Sequence, residues 1–382
     1  MQHKFGALDL IRAGLQDLDR ARTLFDELHN DGIDDDRMRL LLATLEKACD
    51  PDIALSNLVD IIKVMQSQGK DFTNIIADEN SFVRLITVLG VSDEMGKLMR
   101  FRPELVEAAA NDACESHLYN HEQRRAHVLK SVGADPNDHT MPTASLPLAE
   151  AATALRKTYR KQLAAIMAQD ATANDPIEIQ PRISTELSDL ADAALEGALA
   201  IARHEVDGSE HVRFAIIGMG KLGAQELNYV SDVDLIYVVE PADMDTNGMA
   251  LSRIGTKMAT TLQRVCQSVI MGVAEPTLWQ IDGGLRPEGK DGPLVRRLES
   301  HEAYYEQWAE NWEFQALLKA RPVAGDTDLG QAYMDMTRPF VWTASKRDNF
   351  VYDCQQMRKR VEDLIPNPLK DREIKLGRGG LR

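Results

Sequence analysis

Apolar residues recur at helical spacing along the first 130 residues of the chain. The clearest positions are Leu8, Ile11, Leu15, Leu18, Leu40, Leu41 and Leu45. Spacings of three and four residues place apolar side chains on one face of an α-helix. Asn80 or Ser81 could cap a further helix, which Gly90 would end. We therefore predict an N-terminal helical region over residues 1–135, with the turn formers of residues 131–147 as a linker.

Two long alanine- and leucine-rich helices are predicted next, from Leu148 to Asp170 and from Ser184 to His204, separated by a break over residues 171–182. From Val212 the periodicity changes to that of short strands, at residues 214–217 and 234–239 and within residues 277–287.

A helix is predicted from Ser252 to Val273, a tight loop over residues 289–292, and helix again from His301 through Val323. The predicted class is α+β and mostly helical. Residues 136–335 would form the strand-containing domain with its leading helices. Residues 336–382 would begin a C-terminal helical domain that is truncated in a glycine-rich stretch.

The segment from Phe214 to Glu240 joins an apolar strand, a glycine-rich turn and an Asp-x-Asp pair that opens a second strand. Glycines allow backbone N–H groups to approach phosphate oxygens closely. Asp232 and Asp234 are two residues apart on a strand, so their side chains share a face and can bind Mg²⁺ together. The segment predicts a site for nucleotidyl transfer.

The same glycines also satisfy the dinucleotide fingerprint G-x-G-x-x-G, with Glu240 about 20 residues on, where a ribose-binding acid is expected. A parallel crossover needs roughly 10–12 residues or more. Only residues 224–231 separate Gly223 from Asp232. The spacing therefore favours nucleotidyl transfer, and NAD binding is kept as a distant alternative.

Net charge, cysteine content and the length of apolar runs indicate which kinds of partner and compartment to expect. The chain has 44 basic and 60 acidic side chains, a net charge of −16. Nucleic-acid affinity comes mostly from Lys and Arg, so we expect no nucleic-acid partner. The four cysteines form no C-x-x-C pair, and no apolar run reaches the roughly 18 residues of a membrane span. We expect a soluble, cytoplasmic protein with no membrane partner.

Two carboxylates rarely suffice for a two-metal site, so we expect a third on a neighbouring strand. Asp282 is the first candidate and Glu288 the second. Asp282 also precedes two glycines, where Asp is a common turn former, and that alternative stays open.

Nucleotide and phosphate contacts are predicted for the glycine turn and for nearby polar side chains. The predicted residues are Gly218, Gly220, Lys221, Gly223, Ser231, Arg286 and Arg321. Lys290, Arg296 and Lys319 belong to the same pool of cations, some of which only balance the acidic residues. No nucleophile–base pair is evident, so we expect positioning and charge neutralisation to carry catalysis.

These residues resemble a known family. Residues 218–236, GMGKLGAQELNYVSDVDLI, are similar to the defining motif of glutamine synthetase adenylyltransferase/adenylyl-removing enzymes. The similarity continues through residues 285–289, 292–295, 312–326 and 374–377, and it includes residues 89–92 and 190–194 in the helical part. The amino-acid sequence of residues 312–326 resembles that of the first of the two nucleotidyltransferase copies that family members carry.

The resemblance implies a polymerase-β-like mixed sheet with helices, in which Asp232, Asp234 and Asp282 bind Mg²⁺. It implies removal of AMP from a tyrosine of glutamine synthetase by phosphate, giving ADP, with a PII-type signal protein as a further partner. Adenylylation with ATP and a non-catalytic docking role stay open as alternatives. The family pattern Asp-x-Arg-Leu-Arg-Pro reads Asp282-Gly-Gly-Leu-Arg-Pro287 here, so Gly284 replaces an arginine.

Overall fold

The computed structural model describes residues 5–70, 72, 78–110, 119–243, 247–366 and 373. The chain divides into two compact units. Unit 1 comprises Met1–Ser131 and Thr153–Leu190, and unit 2 comprises Val132–Ala152 and Ala191–Arg382. The predicted domain limits near residues 135 and 335 stay a prediction.

The regular structure of the described N-terminal residues, up to Ser131, is helical, as predicted. Their bounds are α1 Ala7–Arg12, α2 Leu18–Asn30, α3 Asp35–Leu45, α4 Pro51–Ser67, α5 Glu79–Val91, α6 Asp93–Phe101, α7 Pro103–Ala110 and α8 His121–Ser131. The side chain of Asp78 caps α5 by accepting the Ser81 N–H, so the predicted cap at Asn80 or Ser81 was wrong by two or three residues. Gly90 lies inside α5, which ends one residue later.

Two long helices follow, α9 Leu148–Ala171 and α10 Pro176–Glu205. The predicted break over residues 171–182 was wrong beyond Asp175. The Asp175 carboxylate accepts the N–H groups of Ile177 and Glu178, and Pro176 occupies the first helical turn, where its missing donor costs nothing. The proline that looked like a breaker therefore starts the helix.

Unit 2 contains the strands. Its strands and α-helices among the described residues are β1 Val212–Gly218, α11 Gly220–Gly223, β2 Val233–Pro241, α12 Gly248–Gln267, β3 Ile281–Asp282, β4 Val295–Arg296, α13 Leu298–Gln307, α14 Asn311–Leu317, β5 Arg321–Gly325, α15 Thr327–Thr343 and α16 Phe350–Asp363. Helix α12 starts and ends earlier than predicted, because Asn247 caps it and Ser268 is already extended. The helix predicted through Val323 was wrong at its end, since β5 lies there.

The five strands in the described part of the chain form one mixed sheet in the order β3-β2-β1-β5, with β4 also paired to β2. Strands β1 and β2 are antiparallel, with Gly218 opposite Leu235. A dinucleotide-binding βαβ unit has parallel strands at this point, so the topology excludes that arrangement. The predicted α+β class with a predominance of helix is confirmed.

The sheet is buried where the candidate motif begins. Every residue of β1 except Arg213 is buried. Ala215 and Ile217 of β1 pack in one core with Tyr305 and Tyr333 of the following helices. Among the described residues no helix combines the length and apolar character that a membrane span requires.

Candidate active site

The glycine turn lies against the carboxylate of Asp234. Its backbone is fixed by the Met219 N–H, which donates to the Asp234 carbonyl oxygen at 2.8 Å. Gly220 has φ +55°, in the left-handed region that favours glycine. A Cβ added at Gly220 would lie 2.6 Å from Asp234 Oδ2. Only glycine fits at this position without displacing the carboxylate.

Gly218 and Gly223 are required by packing on the other side of the turn. A Cβ on Gly218 would lie 2.7 Å from Val323 Cγ1 of β5. A Cβ on Gly223 would overlap the carbonyl oxygen of Lys319. From the sequence, these glycines were predicted to let the backbone approach phosphate oxygens. The structure shows that they are also needed for packing.

The three predicted carboxylates lie at one edge of the sheet. Strands β2 and β3 are parallel, and their register places Asp234 directly opposite Asp282. Asp232 precedes Asp234 by two residues. Asp232 and Asp282 are exposed and Asp234 is half-buried. In the part of the chain that the structure describes, their oxygens do not all lie within 4.8 Å of one another, so joint binding of one cation would require the carboxylates to move closer together.

Asp282 also takes the turn-forming role. Its Oδ1 accepts the Gly284 N–H at 2.7 Å. A Cβ at residue 284 would lie 2.9 Å from the same oxygen. Glycine at this position therefore leaves room for the carboxylate to close the turn.

Lys221 and Ser231 flank the turn. Lys221 Nζ donates to Asn228 Oδ1 at 3.1 Å, which holds the ammonium group beside the loop that leads to Asp232. Ser231 is half-buried and immediately precedes Asp232. The nearby Lys319 pairs with Glu226 at 2.6 Å, with both side chains about half exposed.

Arg286 organises the loop that follows β3. Its Nη1 donates to the Gly283 carbonyl oxygen at 2.7 Å, and its Nη2 donates to the carbonyl oxygens of Lys290 and Gly292, both at 3.1 Å. Arg296, at the end of β4, pairs with Glu288 at 2.5 Å. Both guanidinium groups therefore bind protein oxygens. This favours a role in positioning the loop over a direct contact with phosphate.

Arg321 begins β5 and lies opposite Gly218 in the sheet. Its guanidinium group contacts Asp192 of α10 and the last carbonyl groups of α11. Asp192 was not among the predicted site residues. The sequence did contain a hint of its role, because Asp192 is an acidic residue within an alanine- and leucine-rich helix. A carboxylate that is buried in such a helix needs a cationic partner.

The chain is similar to known proteins along most of its length. A family model described as glutamate-ammonia ligase adenylyltransferase matches residues 82–336. The chain is 76% identical over 379 residues to the bifunctional glutamine synthetase adenylyltransferase/adenylyl-removing enzyme of Bifidobacterium longum (strain DJO10A), covering 99% of this chain and 35% of that protein.

Proteins of the same description from Cutibacterium acnes and Streptomyces avermitilis are 41% and 39% identical. The matches cover 98% of this chain in both cases, and 37% and 35% of those proteins. The chain spans about a third of the length of the curated relatives it matches.

Proposed function

Since the chain belongs to the glutamate-ammonia ligase adenylyltransferase family, we propose that its mixed sheet carries a nucleotidyl-transfer site that removes AMP from an adenylylated tyrosine of glutamine synthetase. The observation that supports this most directly is the register of β2 and β3, which sets Asp234 against Asp282. Asp232 completes a set of three carboxylates at the same edge.

The donor set fits Mg²⁺, which prefers carboxylate oxygens. Glycine at position 220 is also compatible with a bound Mg²⁺, because the absence of a Cβ leaves space beside Asp234 Oδ2. Asp232, Asp234 and Asp282 would hold the Mg²⁺, which would supply positive charge for the phosphate oxygens.

The reaction is an in-line displacement at the phosphorus atom of AMP. An oxygen of inorganic phosphate forms the new bond to this phosphorus, and the bond between phosphorus and the tyrosine oxygen breaks. The products are ADP and the tyrosine phenolate, which then takes a proton. A phenol pKa of about 10 makes the phenolate a moderate leaving group. The glycine turn, Lys221 and Ser231 would hold the phosphates in line with the tyrosine oxygen.

The direction of the reaction rests on the resemblance of residues 312–326 to the first nucleotidyltransferase copy of the family. The relatives are named for both adenylylation and adenylyl removal, so transfer from ATP to unmodified glutamine synthetase is the second candidate function. A PII-type signal protein is a proposed regulatory partner. We further propose residues 1–135, 136–335 and 336–382 as the domains.

The test is release of ADP from adenylylated glutamine synthetase with inorganic phosphate and Mg²⁺, compared between the wild-type chain and Asp232→Asn/Asp234→Asn. We expect phosphate-dependent ADP that falls by at least about a hundredfold in the double variant and disappears with EDTA. Asp335→Asn is the control, because Asp335 is a 56%-exposed carboxylate in the same unit that pairs with Arg338.

Two other outcomes would redirect the assignment. Labelling of unmodified glutamine synthetase from ATP, without loss of pre-attached AMP, would favour the forward reaction. Binding of glutamine synthetase without turnover in either direction would favour a docking role.

A further inference from the structure

We propose that Arg321 and Asp192 form a positioning pair that holds the glycine turn against Asp234, and that Arg321 does not bind phosphate. The inference rests on the proposed function for its kinetic test and has a structural test that does not. Arg321 was predicted from the sequence as a phosphate ligand, whereas Asp192 was not predicted to have any role in the site.

The guanidinium group of Arg321 has partners on each of its three nitrogens. Nη1 and Nη2 donate to the two carboxylate oxygens of Asp192 at 2.6 and 3.2 Å. Nη2 also donates to the Leu222 carbonyl oxygen at 3.0 Å, and Nε donates to that of Gly223 at 3.3 Å. A planar guanidinium group is suited to this forked arrangement, and the point charge of a lysine is not.

Burial fixes the pair in place. The Asp192 side chain is 0% exposed and that of Arg321 is 25% exposed. Removing the guanidinium group would take a cation away from a buried carboxylate, which carries a large cost. A phosphate would have to compete with Asp192 for the guanidinium group.

The two carbonyl groups that Arg321 binds belong to the last residues of α11, which is four residues long. A helix of that length extends only about 6 Å. Its first residue, Gly220, is the one that lies against Asp234 Oδ2. Arg321 therefore holds one end of a short rigid element whose other end fixes the position of the Asp234 carboxylate.

The packing of Gly223 supports the same conclusion. A Cβ at this position would overlap the carbonyl oxygen of Lys319 and lie 2.5 Å from that of Gly218. The end of α11 is thus held between β1 and the segment that leads into Arg321. The turn can shift only if the start of β5 shifts with it.

The kinetic experiment measures phosphorolysis by Arg321→Gln, Asp192→Asn and the double variant. A positioning pair predicts a decrease in kcat of about tenfold to a hundredfold in each single variant, with KM for phosphate unchanged. The double variant should be no worse than the poorer single variant, because both changes remove one interaction. Arg321→Lys should restore little activity.

Arg213→Gln is the matched control. Arg213 lies at the opposite end of β1 and makes a comparable two-bond pair with Asp326, at 2.7 and 2.9 Å. This variant should keep the wild-type kcat although it loses a similar ion pair. A raised KM for phosphate in Arg321→Gln with normal turnover by Asp192→Asn would overturn the proposal in favour of direct phosphate binding.

Hydrogen–deuterium exchange separates failure of this proposal from failure of the proposed function. The N–H groups of Gly223, Ala224 and Glu226 are bonded within the turn. Their exchange should accelerate in Arg321→Gln and Asp192→Asn, and stay at the wild-type rate in Arg213→Gln. Exchange at the wild-type rate in both Arg321→Gln and Asp192→Asn would overturn the positioning role even if the chain had no phosphorolytic activity.

Discussion

Replacement of Gly220 by alanine tests whether the glycine turn sets the position of Asp234. The added Cβ would lie 2.6 Å from Asp234 Oδ2, whereas ordinary contact begins at 3.4 Å. The carboxylate must therefore retreat by 3.4 − 2.6, about 0.8 Å. A misplacement of about 1 Å can reduce a rate by roughly a hundredfold. We expect kcat for phosphate-dependent ADP release to fall between about tenfold and a hundredfold.

The alanine also acquires backbone strain, which must be separated from the effect on Asp234. The left-handed conformation costs a non-glycine residue about 1–2 kcal/mol. Gly69 has φ +67° and nothing within 4 Å of its added Cβ. Gly69→Ala therefore carries a similar strain without any contact, and its kcat should match that of the wild type.

The assay measures ADP release at saturating adenylylated glutamine synthetase, together with the midpoint of urea unfolding. An unchanged kcat in folded Gly220→Ala would refute the argument that this turn controls the Asp234 carboxylate. Equal losses of kcat in Gly220→Ala and Gly69→Ala would show that strain or global stability, and not the local contact, limits activity.

Two further changes test the surroundings of the site. Burial, with the nearby Arg296 cation, lowers the pKa of His301 from 6.5 to about 3. The unfolded chain therefore binds more protons between these pH values, and the free energy of unfolding should fall by up to about 1.4 kcal/mol per unit as the pH drops below 6.5. His301→Phe should weaken this dependence, as measured by urea unfolding at pH 7 and pH 5; parallel curves would contradict the assignment. Arg286→Gln should lower kcat and accelerate proteolysis within residues 283–292, because the loop carbonyl groups lose their donor. A raised KM for phosphate alone would instead indicate direct contact between Arg286 and substrate.

Much of the sheet edge could be predicted because its signals are local. The eight residues between Gly223 and Asp232 were too few for a parallel crossover, and β1 and β2 are indeed antiparallel. The expectation of a further carboxylate on a neighbouring strand led to Asp282, which the structure places opposite Asp234. Whether these carboxylates bind metal stays a prediction.

The features that the sequence did not reveal depend on distant partners. Strand β5 follows a helix and begins with Arg-Pro, and it forms because the exposed edge of β1, more than a hundred residues earlier, supplies its hydrogen bonds. The role of Arg321 was equally hidden, because Asp192 lies 129 residues away. Local composition identified the cation but not its partner.

The division into two units has a consequence for spectroscopy. All four tryptophans lie in unit 2, at positions 279, 308, 312 and 342. Intrinsic tryptophan fluorescence therefore reports the state of the sheet-containing unit alone, whereas far-ultraviolet circular dichroism reports helices of both units. If the units melt separately, the two signals will give different midpoints in the same sample, without any added label.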